Sequence, residues 1–407
     1  MTSGQRPTMR SIPVVFIALS LSGFLAQAQE NPAVRGNAGI IRNCVIAETR
    51  GQYCAWPSVV RAANGDLLVL FTETEEHLGP DGAILGTRST DNGESWEPPS
   101  VVYDTPIDDR ESGITLLSDG TIVAHLWSTF HTRAGYDALA RLSYEPSTLR
   151  RWSAFVDAPG YRASVDTQGA WTILSRDHGR TWSTPVRGCD AVHGGIQLRD
   201  GRLLVASYRR DSPRIGVYSA VMPDMNFTRI ATIEPPPADS ITFAEPHMLQ
   251  MSTGRVIMMI RAAAPRYDDT SPRCVLWETF SDDGGATWVQ PFRTPLWGFP
   301  PHLLQLSDGR ILCSYGYRRV PFGERACISA DGIGWELRDE IVLRDDAPNG
   351  DLGYPASVEL DSGRILTVYY QPDVPRNAVQ KMHPPDSART KPGILGTVWV
   401  MPSRRPR

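Results

Sequence analysis

The sequence predicts an all-β fold: a six-bladed β-propeller of four-stranded antiparallel sheets, its ring closed by the N-terminal strand. Three observations carry that reading. A hairpin pattern recurs six times along the 407 residues. A polar turn motif recurs behind it. The two ends of the chain each hold an unpaired strand-like segment. Length alone would allow two or three domains, but repeats override that prior.

The hairpins come first. Each reads as an apolar run, a polar pair, a glycine and a second apolar run: "SVVRAANGDLLVLF", "ITLLSDGTIVAHLW", "GIQLRDGRLLVASY", "HMLQMSTGRVIMMI", "HLLQLSDGRILCSY" and "SVELDSGRILTVYY". Their glycines are Gly65, Gly120, Gly201, Gly254, Gly309 and Gly363, at intervals of 55, 81, 53, 55 and 54 residues. Asn-Gly, Asp-Gly or Ser-Gly supplies a turn at which positive φ costs glycine little. The flanks are apolar almost without a break, so both faces of each hairpin are expected to be buried. Six alike sheets with buried faces pack around an axis and leave only short edges. A solenoid would use a shorter repeat.

The turn motif is "STDNGESW" (Ser89 to Trp96), "SRDHGRTW" (Ser175 to Trp182), "SDDGGATW" (Ser281 to Trp288) and a shortened "SADGIGW" (Ser329 to Trp335). It belongs between the third and fourth strands of a blade. Ser and Asp can bond nearby backbone N–H groups, Gly takes the awkward φ, and Trp covers the turn. A single Asp lacks the ligand series of a calcium loop, so the motif reads as scaffold. "GILGTVWVM" (Gly393 to Met401) supplies a third strand with no fourth after it. "AGIIRNCVIA" (Ala38 to Ala47) can add that strand and latch the ring. The long interval of 81 residues places an insertion around 131–170, expected as a lobe over one face.

Composition narrows the function. The net charge of −4 and the lack of a basic run argue against nucleic acid. Residues 1–28 read as a cleavable signal peptide, with Arg6 and Arg10, a short apolar core and Ala26-Gln27-Ala28 before the cut. The mature domain is then residues 29–407, secreted or periplasmic, with no membrane contact after cleavage, and a monomer. Export permits disulfides. Cys44 with Cys54 and Cys313 with Cys327 are the expected local pairs, among fifteen possible full pairings.

Geometry selects one rim for chemistry. A hairpin brings the start of its first strand and the end of its second together, opposite its turn. Nine residues before each glycine stand Trp56, Glu111, Val192, Glu245, Pro300 and Tyr354. Seven or eight after stand Thr72 and Glu73, Trp127, Tyr208 and Arg209, Arg261, Tyr317, Tyr370 and Gln371. His193, His247 and His302 lie nearby. Three histidines suggest a metal, but blades of a six-fold ring are expected to hold them too far apart, so no metal or other cofactor is expected. Each of these residues also has a bland reading: Glu245 and Arg261 as a structural ion pair, Tyr354 as a strand-end aromatic, the arginines as solvated charge.

At these residues the chain resembles the sialidase (neuraminidase) superfamily, whose propellers carry the same turn motif, the Asp box. The resemblance spans roughly Ala38 to Met401. It implies that Glu245 and Arg261, in "EPHMLQMSTGRVIMMIR", are the catalytic glutamate and a substrate-binding arginine. It implies that Tyr354, in "GYPASVELDSGRILTVYYQ", is the nucleophile. A phenol suits attack at an anomeric centre beside a carboxylate. The resemblance places the acid/base aspartate near Asp81, a further arginine at Arg318, Arg319 or Arg325, and an arginine-supporting group at Gln371. The family's first arginine is missing: "CAWPS" puts Ala55 and Trp56 there.

The expected function is therefore exo-glycosidase action of the exo-α-sialidase type on a glycan or glycoconjugate, removing a terminal acidic sugar. A non-catalytic glycan-binding propeller and a polysaccharide lyase are the alternatives.

Overall fold

A computed structural model describes residues 39–48, 52–135, 144–209, 212–264, 274–372 and 391–401. The expected signal peptide lies outside them. Among the described residues no helix is long and apolar enough to cross a membrane.

Six four-stranded antiparallel sheets form the ring. The inner strands of blades 1 to 6 are Tyr53–Arg61, Asp108–Leu116, Ile196–Gln197, Thr242–Gln250, Pro301–Gln305 and Gly353–Glu359. Blade 6 is completed by Gly39–Ala47, which pairs with Gly393–Val400 from Gly39 opposite Val400 to Ala47 opposite Ile394. The N-terminal strand thus latches the ring, as its sequence predicts. All six hairpin glycines have positive φ, between 69° and 96°.

The hydrophobic core lies between the blades. Leu68, Leu70, Ile114, Ile122 and Ala124 join blades 1 and 2, and Ile257, Met259, Leu303 and Ile311 join blades 4 and 5. Full burial of one such aliphatic side chain contributes about 1.5–3 kcal/mol, so each interface is a substantial part of the stability. Hydrogen bonds tie successive turns together. The Arg199 N–H donates to Gln250 Oε1 at 2.9 Å, and the Ser307 N–H to Glu359 Oε2 at 2.8 Å.

The Asp boxes close on themselves. In the first, the Gly93 N–H donates to Ser89 Oγ at 2.8 Å and the Ser95 N–H to Asp91 Oδ1 at 2.9 Å. The second and third repeat this pattern around Asp177 and Asp283. Hydrogen bonds from the Ser95 and Thr287 hydroxyls, joined by these backbone donors, lower the Asp91 and Asp283 carboxyls to about 2.

In the long interval, helix α1 (Pro146–Asp157) and helix α2 (Pro159–Ala163) pack Trp152, Val156 and Tyr161 against Ile107 and Leu78. The interval therefore covers loops of blades 1 and 2 at the end away from the hairpin turns.

The expected bridge between Cys44 and Cys54 is not formed. Cys44 is on the outer strand of blade 6, where its thiol donates to the Gly396 carbonyl at 3.6 Å. Cys54 is on the inner strand of blade 1, opposite Glu73. Cys313 and Cys327 do face each other across a ladder, but as thiols.

Candidate functional site

The mouth opposite the hairpin turns owes its shape to a repeated irregularity. The inner strands of blades 1, 2, 4 and 6 each break register within the ladder near its mouth end, between Ala55 and Ser58, Arg110 and Gly113, Ala244 and His247, and Gly353 and Ala356. One residue in each break is left-handed: Trp56 (φ 54°), Glu111 (51°), Glu245 (43°) and Tyr354 (52°). These are the residues nine before the glycine. A bulge re-aims a side chain, and here four of them are re-aimed at equivalent points of the ring. For residues other than glycine this backbone is unfavourable, and such strain is concentrated at functional sites.

The bulges bring Glu245, Arg261 and Tyr354 together. The Tyr354 hydroxyl donates to Glu245 Oε1 at 2.7 Å, and Arg261 Nη1 donates to Glu245 Oε2 at 2.6 Å. All three side chains are buried. Burial pushes the Glu245 carboxyl up, but the charge of Arg261 and hydrogen bonds from Arg261 and Tyr354 outweigh it and hold it below its ordinary value. Burial, then the carboxylates of Glu245 and Glu111, push the Tyr354 phenol well above its ordinary value. The ground state is thus a protonated phenol aimed at an ionised carboxylate. Such a pair can deliver a phenolate oxygen as a bond forms, with the glutamate taking the proton.

Beside this pair lies an aromatic wall. Trp56 stands 6.4 Å from Tyr354 and 6.3 Å from Tyr370, ring centre to ring centre. Arg110 stacks over Trp56 at 4.4 Å and is paired with Asp108 at 3.1 Å. The inserted segment supports this pair. His131 Nε2 meets Asp108 at 2.9 Å, and the His131 N–H donates to the Tyr161 hydroxyl. Next to Trp56, the Tyr53 hydroxyl donates to Asp351 Oδ1 at 2.7 Å and meets His77 Nδ1 at 2.6 Å.

Sequence reasoning missed Tyr53, Asp351 and Arg110. The first two were accessible by register. Tyr53, Asp108 and Asp351 each stand twelve residues before their hairpin glycine, one step beyond the bulge.

The other expected residues divide. Arg318 reaches the mouth: its Nε donates to the Leu352 carbonyl at 3.0 Å and its Nη2 to the Tyr370 hydroxyl at 3.4 Å. Arg319 instead stacks on Trp297 at 3.6 Å, and Arg325 donates to backbone carbonyls including that of Arg344. Arg209 is exposed at the end of its strand. Trp127 donates within its own strand to Thr129, and Gln371 is buried in the ladder opposite Gly393. Asp81 is exposed on the loop after the second strand of blade 1. Its carboxyl is raised by partial burial and by Asp108 and Glu75, the direction a general acid needs, but it shares no hydrogen bond with Glu245 or Tyr354.

The expected wide separation of the three histidines is wrong. His247 and His302 stack at 4.4 Å, and His193 lies 5.8 and 5.5 Å from them. Inner strands converge on the axis, so side chains from successive blades meet there. His247 Nδ1 accepts the Leu303 N–H and His302 Nδ1 accepts the Ser357 N–H. Each histidine thereby staples its inner strand to the next. Burial holds both rings neutral, so Nε2 carries the proton and has no lone pair for a metal. No group of three or more His, Cys, Asp or Glu among the described residues is arranged to hold a metal ion.

Comparison with known proteins agrees with the fold. Residues 147–367 match the BNR repeat-like domain. No curated protein matches the chain. Among solved structures, a Dyadobacter fermentans protein of unknown function is 24% identical with a TM-score of 0.69, over 89% of this chain and 99% of that one. The NanB sialidase of Streptococcus pneumoniae is 10% identical with a TM-score of 0.60, over 88% of this chain and 70% of that one. An α-L-arabinanase of Penicillium chrysogenum, solved with arabinobiose, is 15% identical with a TM-score of 0.54, over 88% and 98%. At these identities the likeness is one of fold.

Proposed function

The chain belongs to the BNR repeat-like domain family, and on that premise we propose that it is a secreted exo-glycosidase that removes a terminal sugar by a retaining path. The observation that carries this reading is the hydrogen bond from Tyr354 to Glu245 at 2.7 Å, with Arg261 clamped on the far oxygen at 2.6 Å. A free tyrosine has a pKa of about 10 and needs a base beside it to attack near neutral pH. Glu245 is that base. Tyr354 attacks the anomeric carbon as the glycosidic bond breaks, and Glu245 takes the phenolic proton. Asp81 protonates the leaving oxygen, then activates the water that releases the sugar from tyrosine. Arg261 orients Glu245 and keeps it ionised. Arg318, half-buried at the mouth, meets the sugar, and the buried Trp56 and Tyr370 back the site.

The test is a screen of aryl glycosides with purified protein lacking residues 1–28, followed by Tyr354→Phe on the best substrate. The variant is expected to fold and to lose turnover by orders of magnitude. Parental turnover in Tyr354→Phe rejects the nucleophile. The second reading, a glycan-binding propeller without catalysis, draws on Trp56, which stands where the resemblance calls for an arginine. Binding of glycans with no cleavage of any glycoside would establish it.

A further inference from the structure

The mouth contains a second acidic centre that the proposed chemistry does not use. Asp351 precedes the inner strand of blade 6, three residues before Tyr354. The Tyr53 hydroxyl donates to its Oδ1 at 2.7 Å, the Tyr370 hydroxyl donates to the same oxygen at 3.3 Å, and His77 Nδ1 lies 3.3 Å from it. Its backbone N–H is held by Asn349. These contacts all fall on Oδ1, while the side chain keeps 30% of its exposure. Oδ2 is the oxygen left for solvent or substrate. Partial burial works against ionisation of Asp351, but His77 and Tyr53 outweigh it and bring the carboxyl down to about 2. It is a fixed anion, positioned by three blade-1 and blade-6 side chains, at the edge of an aromatic wall.

Two of the nearby cations are held by other carboxylates: Arg261 is clamped on Glu245, and Arg110 is paired with Asp108 and stacked on Trp56. The third, Arg318, donates through Nε to the Leu352 carbonyl, and its charge helps to hold Asp351 ionised. A sugar carboxylate entering beside Trp56 would meet Asp351 as a like charge. A sugar hydroxyl there would instead donate to Oδ2. Charged hydrogen bonds of that kind are among the stronger ones available to a neutral sugar.

We propose that Asp351, held by Tyr53, Tyr370 and His77, is a specificity-determining residue that accepts a hydroxyl of an uncharged sugar and excludes a carboxylated one. The proposal rests on reading the mouth as a glycoside pocket. It replaces the acidic sugar that the family resemblance suggests with a neutral one.

Matched pairs of methyl glycosides test it: galactoside against galacturonoside, glucoside against glucuronoside, with methyl sialoside as a further acidic probe. Ligand-observed NMR titration gives their affinities for the wild-type protein. The uncharged member of at least one pair is expected to bind at least tenfold more tightly than its acidic partner. Asp351→Asn is expected to weaken that sugar by roughly ten- to a hundredfold, the cost of one lost charged hydrogen bond, and to narrow the gap between the pair. Tighter binding of the acidic members, or binding of no member of any pair, overturns the proposal. An Asp351→Asn protein that folds and keeps the parental preference overturns it too. The wild-type comparison stands even where that variant does not fold. Hydrolysis is read separately: preference without turnover of any glycoside leaves the specificity intact and sinks the enzymatic reading.

Discussion

The two rims of the ring meet the same backbone demand with different residues. In the six inner hairpin turns the left-handed position is a glycine every time, from Gly65 to Gly363. At the mouth the left-handed positions are Trp56, Glu111, Glu245 and Tyr354. The left-handed conformation costs an L-residue about 1–2 kcal/mol, which glycine avoids. The hairpin turns are therefore relaxed and interchangeable, six copies of one solution, while the Asp boxes beside them place the left-handed conformation on Asn92 and His178. The mouth tolerates the cost four times over because what matters there is the side chain it presents. Conformational strain at strand bulges distinguishes the mouth from the hairpin turns in a fold whose blades are otherwise alike.

The largest expected effect lies at the mouth. Glu245→Gln keeps the bulge and the shape but removes the base, and turnover is expected to fall by about 10²–10⁴-fold with the circular dichroism spectrum of the parent. A variant with parental turnover would mean that the strained rim is not the site. At the opposite rim, Gly254→Ala imposes the mouth's strain where no neighbouring atom crowds the new methyl group. It is expected to lower stability in urea by about 1–2 kcal/mol and to leave turnover alone. An unchanged midpoint would show that the two rims do not differ in the way the φ values indicate.

A third expectation concerns Glu278, buried on the third strand of blade 4 and hydrogen-bonded at 2.8 Å by Trp335 of the last Asp box. Burial raises its carboxyl from 4.5 to about 8. Between those values the native state holds a proton that the unfolded chain has released. Stability should therefore fall as pH rises through that window. Glu278→Gln is expected to flatten this dependence and raise the melting temperature at pH 8 relative to the parent. A variant with the parental slope would assign the pH dependence elsewhere. The smallest effect is expected at Asp91→Ala, which loses the hydrogen bonds of one exposed turn. Melting should drop slightly and turnover should hold. A folded variant with no turnover would make the Asp box part of the machinery.

What was legible in the sequence follows the same division. The turn rim is local chemistry: Asp-Gly and Ser-Gly pairs and the Ser-Asp-Gly-Trp boxes declare their turns within eight residues, and their spacing counts the blades. The latch was legible because each chain end lacked a partner. That Glu245, Arg261 and Tyr354 meet was legible because register converts to position on a ring. The remainder depended on distances that register does not carry. The three histidines meet because the inner strands converge on the axis. Asp351, Tyr53 and Arg110 join the site only after the bulges turn the chain, and the local signal for those bulges was a proline within a strand, Pro57, Pro246 and Pro355, after three of the four left-handed residues. The Cys44–Cys54 bridge failed for a related reason, since closeness in sequence spans two different blades here.

The central claim is that Tyr354 and Glu245 act as one chemical unit across the axis. Its most direct test is the turnover of Tyr354→Phe, Glu245→Gln and the double variant, measured on the best glycoside under one set of conditions. Groups that act as a unit lose their effect together. The double variant is expected to be little slower than the worse single variant. Losses that multiply, each single variant subtracting its full effect from the double, would show that the hydrogen bond between them is structural and that the two residues serve separate ends.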